Sequence, residues 1–155
     1  LPRDTGWFAA FGALAGAQVG QTPYAPGGAR FYGATFDPSA IYRFNAVMDW
    51  LDAQKLDAAK IHAHIELLEE QFMRELSNEG SLPIGASQLV VPLSEKSRGQ
   101  FLTFRLPEAA AIHDRLMAAN LFTDVRGDRL RFGFAIYHDA EEITRGVARM
   151  REALR

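Results

Sequence analysis

The hydrophobic residues of this chain change their period at Pro83. Between Asp37 and Pro83 they recur three and four residues apart. After Pro83 they alternate in short runs. A stripe with helical period cannot lie on a pleated strand, so helices must come first and a mixed layer of strands and helices second. Asp37-Pro38 predicts the first helix start, with an acidic cap and a proline in the first turn. Ile41, Phe44, Val47, Met48 and Leu51 follow at helical spacing. Asp57 is a cap for a longer helix whose apolar stripe is Ile61, Ile65, Leu68, Phe72 and Leu76. Glu66, Glu69 and Glu70 read as its solvated face, and Asn78-Glu79-Gly80 as its end. About 20 residues make a rod of about 30 Å, long enough to link two domains.

Downstream, the residues 88–91 and 99–105 read as strands and 107–119 as a helix. A hairpin over 122–126 and 129–134 turns at Gly127-Asp128. Residues 139–155 read as a last amphipathic helix, with Ile143, Val147, Met150 and Leu154 on one face. The order β-β-α-β-β-α predicts an antiparallel sheet with helices on one face, an α+β layer. Residues 1–37 are rich in Gly, Ala, Pro and aromatics. A short helix is expected near 7–15, followed by an extended loop through Pro23, Pro26, Gly27 and Gly28. Such a loop is long for a compact domain and is expected to lie against something outside this chain.

Composition narrows the partners. With 155 residues, 48% of them hydrophobic and 23% charged, the chain is long and apolar enough for a true core. A net charge of -2 with dispersed Arg and Lys gives no basic stripe for nucleic acid. The absence of cysteine excludes disulfides, thiolate metal sites and a cysteine nucleophile or persulfide carrier. No apolar run of about 18 residues predicts a membrane span, and no signal-peptide pattern is present, which fits a cytoplasmic protein. The chain begins at Leu1 and not at Met, as expected of a piece of a longer protein.

Three patterns could carry chemistry. Arg126-Gly-Asp-Arg-Leu-Arg131 puts three arginines within six residues around an apolar strand. A guanidinium is a rigid fork that matches a carboxylate, as an amino- or keto-acid site requires. The competing reading is a solvated strand and turn. Gly28-Ala-Arg30-Phe-Tyr-Gly33-Ala-Thr35 precedes a helix start and could hold an anion through N–H groups and a hydroxyl. Plain loop and capping chemistry competes there. Trp7, in Gly6-Trp7-Phe8, could pack in a core or offer its indole N–H to a ligand. His62 and His64 are two apart on a helix and cannot share a metal. Arg126-Gly127-Asp128 is a hairpin turn, not an adhesion signal.

In order along the chain, these segments resemble the C-terminal portion of class V aminotransferase-like enzymes, the group of kynureninases, cysteine desulfurases and related amino-acid transaminases and lyases. Gly6-Trp7 resembles the kynureninases' Gly-Trp segment. Arg30-Phe31 through Thr35 resembles the family's Arg-Phe-x-x-Gly-Thr. Asp124-x-Arg126 and Leu130-Arg131-Phe132 resemble its paired arginine strands, and Ile136-Tyr137-His138-Asp139 its step into the last helix. The chain departs from the pattern where Ala34-Thr35-Phe36 replaces Gly-Thr-Pro, and where Gly127-Asp128 closes the hairpin without the desulfurase cysteine loop.

The resemblance implies the α/β type I fold of pyridoxal-phosphate-dependent transferases. Residues 1–37 would end the large domain, 38–80 would be linking helices, and 81–155 the small C-terminal α+β domain with its antiparallel sheet. It implies pyridoxal 5'-phosphate as cofactor, with Thr35 reaching its phosphate across a homodimer interface and Trp7 touching the same phosphate. Arg131 would grip the substrate α-carboxylate. Arg126 matches a further arginine of the desulfurases, and Tyr137 and Asp139 would be structural. The substrate would be an α-amino acid, undergoing transamination or a kynureninase-like side-chain cleavage. The lysines are Lys55 and Lys60, read as lying on solvated helices, and Lys96 in a polar loop. None suits the Schiff-base role. That lysine, the aspartate for the pyridine nitrogen and the ring-stacking aromatic are expected upstream, so no catalytic residue is assigned in this chain and it is expected to be inactive alone. The rival expectation is a free-standing small-ligand-binding α+β domain that holds an amino acid through Arg131.

Overall fold

In the computed structural model the long stripe over 58–77 becomes the spine of a helical layer on a three-stranded sheet. The structure describes every residue except 1, 2, 4, 17–19, 78–81 and 96, so the predicted helix end at 78–80 and Lys96 lie outside the described residues. The chain divides into two units, Leu1–Gln54 and Lys55–Arg155. The stretch 38–80, read as linking helices, is shared between them.

The second unit runs α2 (Ala58–Ser77), β1 (Phe101–Arg105), α3 (Ala109–Ala118), β2 (Asp124–Arg126), β3 (Arg129–Gly133) and α4 (Ala140–Leu154). Asp57 Oδ1 accepts from Lys60 N at 2.8 Å and satisfies one of the open N–H groups at the start of α2. Asp139 does the same for α4 in a full capping box: Glu142 N donates to Asp139 Oδ1 and Asp139 N donates to Glu142 Oε2. The structural role expected of Asp139 is this cap.

The sheet order is β1-β3-β2, all antiparallel. Side chains alternate between its faces. Leu102, Phe104, Leu130 and Phe132 point inward and are buried. Against them lie Ile65, Leu68, Phe72 and Leu76 of α2, Ile112 and Leu116 of α3, and Ile143, Val147 and Met150 of α4. Phe72 meets the rings of Phe132 and Phe134 at 5.1 and 5.5 Å. Each such side chain contributes about 1.5–3 kcal/mol by leaving water, which is why the three helices gather on one face. The β2–β3 turn has a positive φ at Gly127 alone, of 60°, as a two-residue loop with glycine in its first central place requires.

Three expectations are corrected here. Residues 88–91 are not a strand: a short 3-10 turn, Ala86–Gln88, leads to a single bridge from Leu89 to Phe104, with Val90 N on Thr103 O. Pro92 follows at once, and without an N–H it cannot extend a ladder. Glu69 does not share the wet face of Glu66 and Glu70: it is buried against Arg98. Lys55 is not on a helix but in the turn before α2, with a positive φ of 56°.

The first unit holds two 3-10 helices, Trp7–Ala13 and Gly27–Phe31, and α1 (Ser39–Ala53). The segment expected as a short helix over 7–15 kinks at Ala10 and does not reach full α geometry. Asp37 accepts from both N and Oγ of Ser39 at the start of α1, one place earlier than a cap position, and those bonds hold its carboxyl below its ordinary value. Ala9 and Ala10 are buried, whereas α1 buries no residue. No helix among the described residues is long and apolar enough to cross a membrane.

Candidate functional site

The predicted site residues form two groups, one in each unit. In the first unit, Gly6 packs backbone to backbone on Gly33. A Cβ on Gly6 would stand 1.7 Å from the Gly33 carbonyl oxygen, so only glycine allows the approach. Gly6 N donates to Tyr32 O at 3.3 Å, and Thr5 Oγ1 donates to Arg30 O at 2.9 Å. The Gly-Trp segment and the Arg-Phe segment are thus clamped side by side, though 24 or more residues separate them in the sequence. Trp7 lies against Phe8 and Phe11, with ring centroids at 4.9 and 5.4 Å, and stays half exposed. Thr35 is exposed, two residues past the clamp.

Arg30 belongs to the Arg-Phe segment but is not among the residues that the resemblance assigns to the site. Its Nε is buried and has no hydrogen-bond partner among the described residues. A buried, unpaired guanidinium N–H is costly to hold, and an anion would satisfy it. The signal was present: a charged residue between a glycine-rich turn and an aromatic pair. With the Trp7 indole and the Thr35 hydroxyl, this segment offers donors of the kind a phosphate group takes.

In the second unit, register decides the grouping. The outer face of the sheet carries Thr103, Arg131 and Asp124 in one cross-strand row and Arg105, Arg129 and Arg126 in the next. Arg131 and Arg126 therefore share a face. Arg131 Nε donates to Asp124 Oδ2 at 2.6 Å, and Nη2 donates to the same oxygen. Arg126 Nε stands 3.5 Å from that oxygen. The Arg131 guanidinium also lies over the Phe101 ring, 5.3 Å from its centroid. Asp124 uses the side-on edge of the Arg131 fork, and the end-on edge with Nη1 is not engaged by it. Asp124 was not foreseen as the partner. Counting outward from the Gly127-Asp128 turn pairs 126 with 129 and 124 with 131, and would have found it.

The row of three arginines sets like charges directly opposite each other, which destabilises a sheet unless acids intervene. Asp128 stands 3.6 Å from Arg105 Nε and 4.0 Å from Arg129 Nε. Two aspartates therefore serve four arginines, and the face keeps a positive excess. Tyr137 is exposed, and His138 Nδ1 accepts from Ala135 N in the turn before α4. Lys60 is on the surface, bonded to Lys55 O and 3.8 Å from Asp57.

No curated protein sequence matches the chain. The profile of the kynureninase C-terminal domain matches residues 61–150, from the first turn of α2 to the last turns of α4, and includes both arginine strands. That match spans 90 of the 155 residues, and the chain belongs to the kynureninase C-terminal domain family.

Proposed function

We propose that this chain is the C-terminal part of a pyridoxal-phosphate-dependent enzyme that acts on an α-amino acid, with Arg131 as the substrate's carboxylate clamp. The observation that carries the reading is the Arg131 fork. It stands on a regular strand, braced by Asp124 and Phe101, with one edge open to a second carboxylate. Bracing on a strand gives such a clamp the fixed geometry that positioning needs. Arg126 supplies a second positive charge on the same face. The family match favours kynureninase-like side-chain cleavage over transamination.

Trp7, Thr35 and Arg30 are the donors that would hold the cofactor phosphate. The cofactor, when bound, supplies the electron sink for carbanions. The residues of this chain bind and orient. The Schiff-base lysine and the ring-stacking groups belong to the rest of the enzyme in this reading. The exposed apolar face of α1, with Ile41, Phe44, Val47 and Met48, supports a homodimer, since a patch of that kind is rarely left to water.

The test is made in the cofactor-loaded enzyme that contains this chain. Losing one charge-assisted hydrogen bond of about 1.5–3 kcal/mol raises KM roughly 10- to 150-fold. Arg131→Lys should raise KM for the amino acid in that range and change kcat less. Arg131→Ala should raise it further. A KM that neither substitution changes would sink the assignment.

A further inference from the structure

A cleft of about 370 Å³ opens in the second unit between α4, the end of β3 and the 120–123 turn. None of the residues assigned above to cofactor or substrate lines it. Its walls are apolar, with Phe72, Leu121, Phe132, Phe134 and Met150 among them. Arg145 and Arg149, one helical turn apart on α4, lie along it.

Three features of the cleft are not explained by folding alone. Gly146 lies in the interior of α4, where glycine is the poorest helix former after proline. A Cβ built on it meets nothing within 4 Å, so no neighbour demands glycine there. Its missing side chain keeps the cleft open. Arg149 makes no hydrogen bond or ion pair among the described residues, whereas Arg145 is paired with Glu141. Phe122 lines the cleft and leaves 78% of its surface in water, an unfavourable place for a phenyl ring unless something covers it. The one carboxylate in the lining, Glu142, is engaged in the α4 cap. His138 adds a donor: its Nδ1 accepts from Ala135 N, which puts the proton of the neutral ring on Nε2.

An apolar hollow with an unpaired guanidinium beside it fits one chemistry. An apolar body displaces water from the phenylalanine walls, and an anionic end pairs with arginine. The volume lies near the lower end for small-molecule sites, which suits one or two fused rings. We propose that this cleft binds a small organic carboxylate with a ring-sized apolar body, its carboxylate on Arg149. The site is independent of the family reading and of Arg131.

The test titrates this chain with 2-naphthoate and, separately, with the neutral 2-naphthalenemethanol, following amide resonances in ¹H–¹⁵N spectra. Naphthoate should give saturable shifts confined to residues 120–123, 132–134 and 142–150. The neutral alcohol should bind at least roughly tenfold more weakly, as should naphthoate to Arg149→Ala, from loss of one charge-assisted bond. Gly146→Leu should fill the cleft and abolish binding while the protein stays folded, because leucine is the better helix former and meets open space. No saturable shift at Gly146 in the millimolar range overturns the proposal. So does unchanged binding by a folded Gly146→Leu protein, or shifts that centre on Arg131.

Discussion

Arg98 reaches from the loop before β1 into the helical layer and closes over Glu69 of α2. Its side chain is 3% exposed and that of Glu69 1%. Arg98 Nε donates to Glu69 Oε2 at 2.9 Å, with Nη2 at 2.7 Å from the same oxygen. Nη1 donates to Leu93 O and Glu95 O. Glu69 Oε1 has no hydrogen-bond partner among the described residues. Burial pushes the Glu69 carboxyl up from its ordinary value, and Arg98 pulls against that shift. Substituting Arg98→Ala leaves burial with little opposing it. At pH 7 the carboxyl must then stay ionised among apolar side chains or take a proton. Taking a proton, from an ordinary value of 4.5, costs about 3.4 kcal/mol at about 1.36 kcal/mol per pH unit. That agrees with the roughly 3–5 kcal/mol lost when one member of a buried pair is deleted. The sign follows from linkage. A carboxyl with a raised folded value holds more protons folded than unfolded, so its stability is present at low pH and lost as pH rises above 4.5. The variant's deficit should be about 3–5 kcal/mol at pH 7 and shrink on acidification by up to about 1.4 kcal/mol per unit, the limit reached where the variant's carboxyl holds its proton and the native one does not. Near pH 4.5 it should fall to the order of 1 kcal/mol, the share of the lost carbonyl hydrogen bonds. Urea denaturation followed by far-UV circular dichroism at pH 7, 6 and 5 measures it. A deficit that is flat with pH, or below about 1 kcal/mol at pH 7, refutes the reasoning. Replacing both residues by methionine should recover most of the loss, because no uncompensated charge then stays buried.

Gly6→Ala should open the clamp between the 5–7 and 30–33 segments, since its Cβ would overlap the Gly33 carbonyl. Faster proteolysis within residues 1–37 and a changed Trp7 emission are expected, with the thermal transition of residues 55–155 unmoved; unchanged cleavage would show that the clamp is not held in solution. Asp139→Ala should cost about 0.5–2 kcal/mol in urea denaturation through loss of the α4 cap, and Asp139→Asn much less. Leu130→Ala, at a fully buried position on the inner sheet face, should cost about 2–5 kcal/mol; a loss below about 1 kcal/mol would mean that this face is not the core.

The features legible in the sequence are those decided by near neighbours. The Asp57 cap, the hairpin at Gly127-Asp128 and the inward set Leu102, Phe104, Leu130 and Phe132 follow from capping, turn chemistry and a two-residue period. Each depends on residues within a few positions, so each could be read before any packing was known. Glu69 was partly legible: four residues after Ile65 and three before Phe72, it sits on the apolar stripe. What made it tolerable there was Arg98, 29 residues away, which no local pattern announces.

The candidate site divides in the same way. By itself the sequence determined the arginine-rich hairpin, the Gly-Trp and Arg-Phe segments, and a helical layer on one side of an antiparallel sheet. Only the tertiary structure decided that Gly6 meets Gly33, that Arg30 Nε is buried without a partner among the described residues, and that the 88–91 segment stops at one bridge. Turns and caps are set by backbone chemistry over a few residues, whereas these contacts join segments that the chain must first bring together. Their formation rests on the summed burial of the whole core and not on the preference of any one segment.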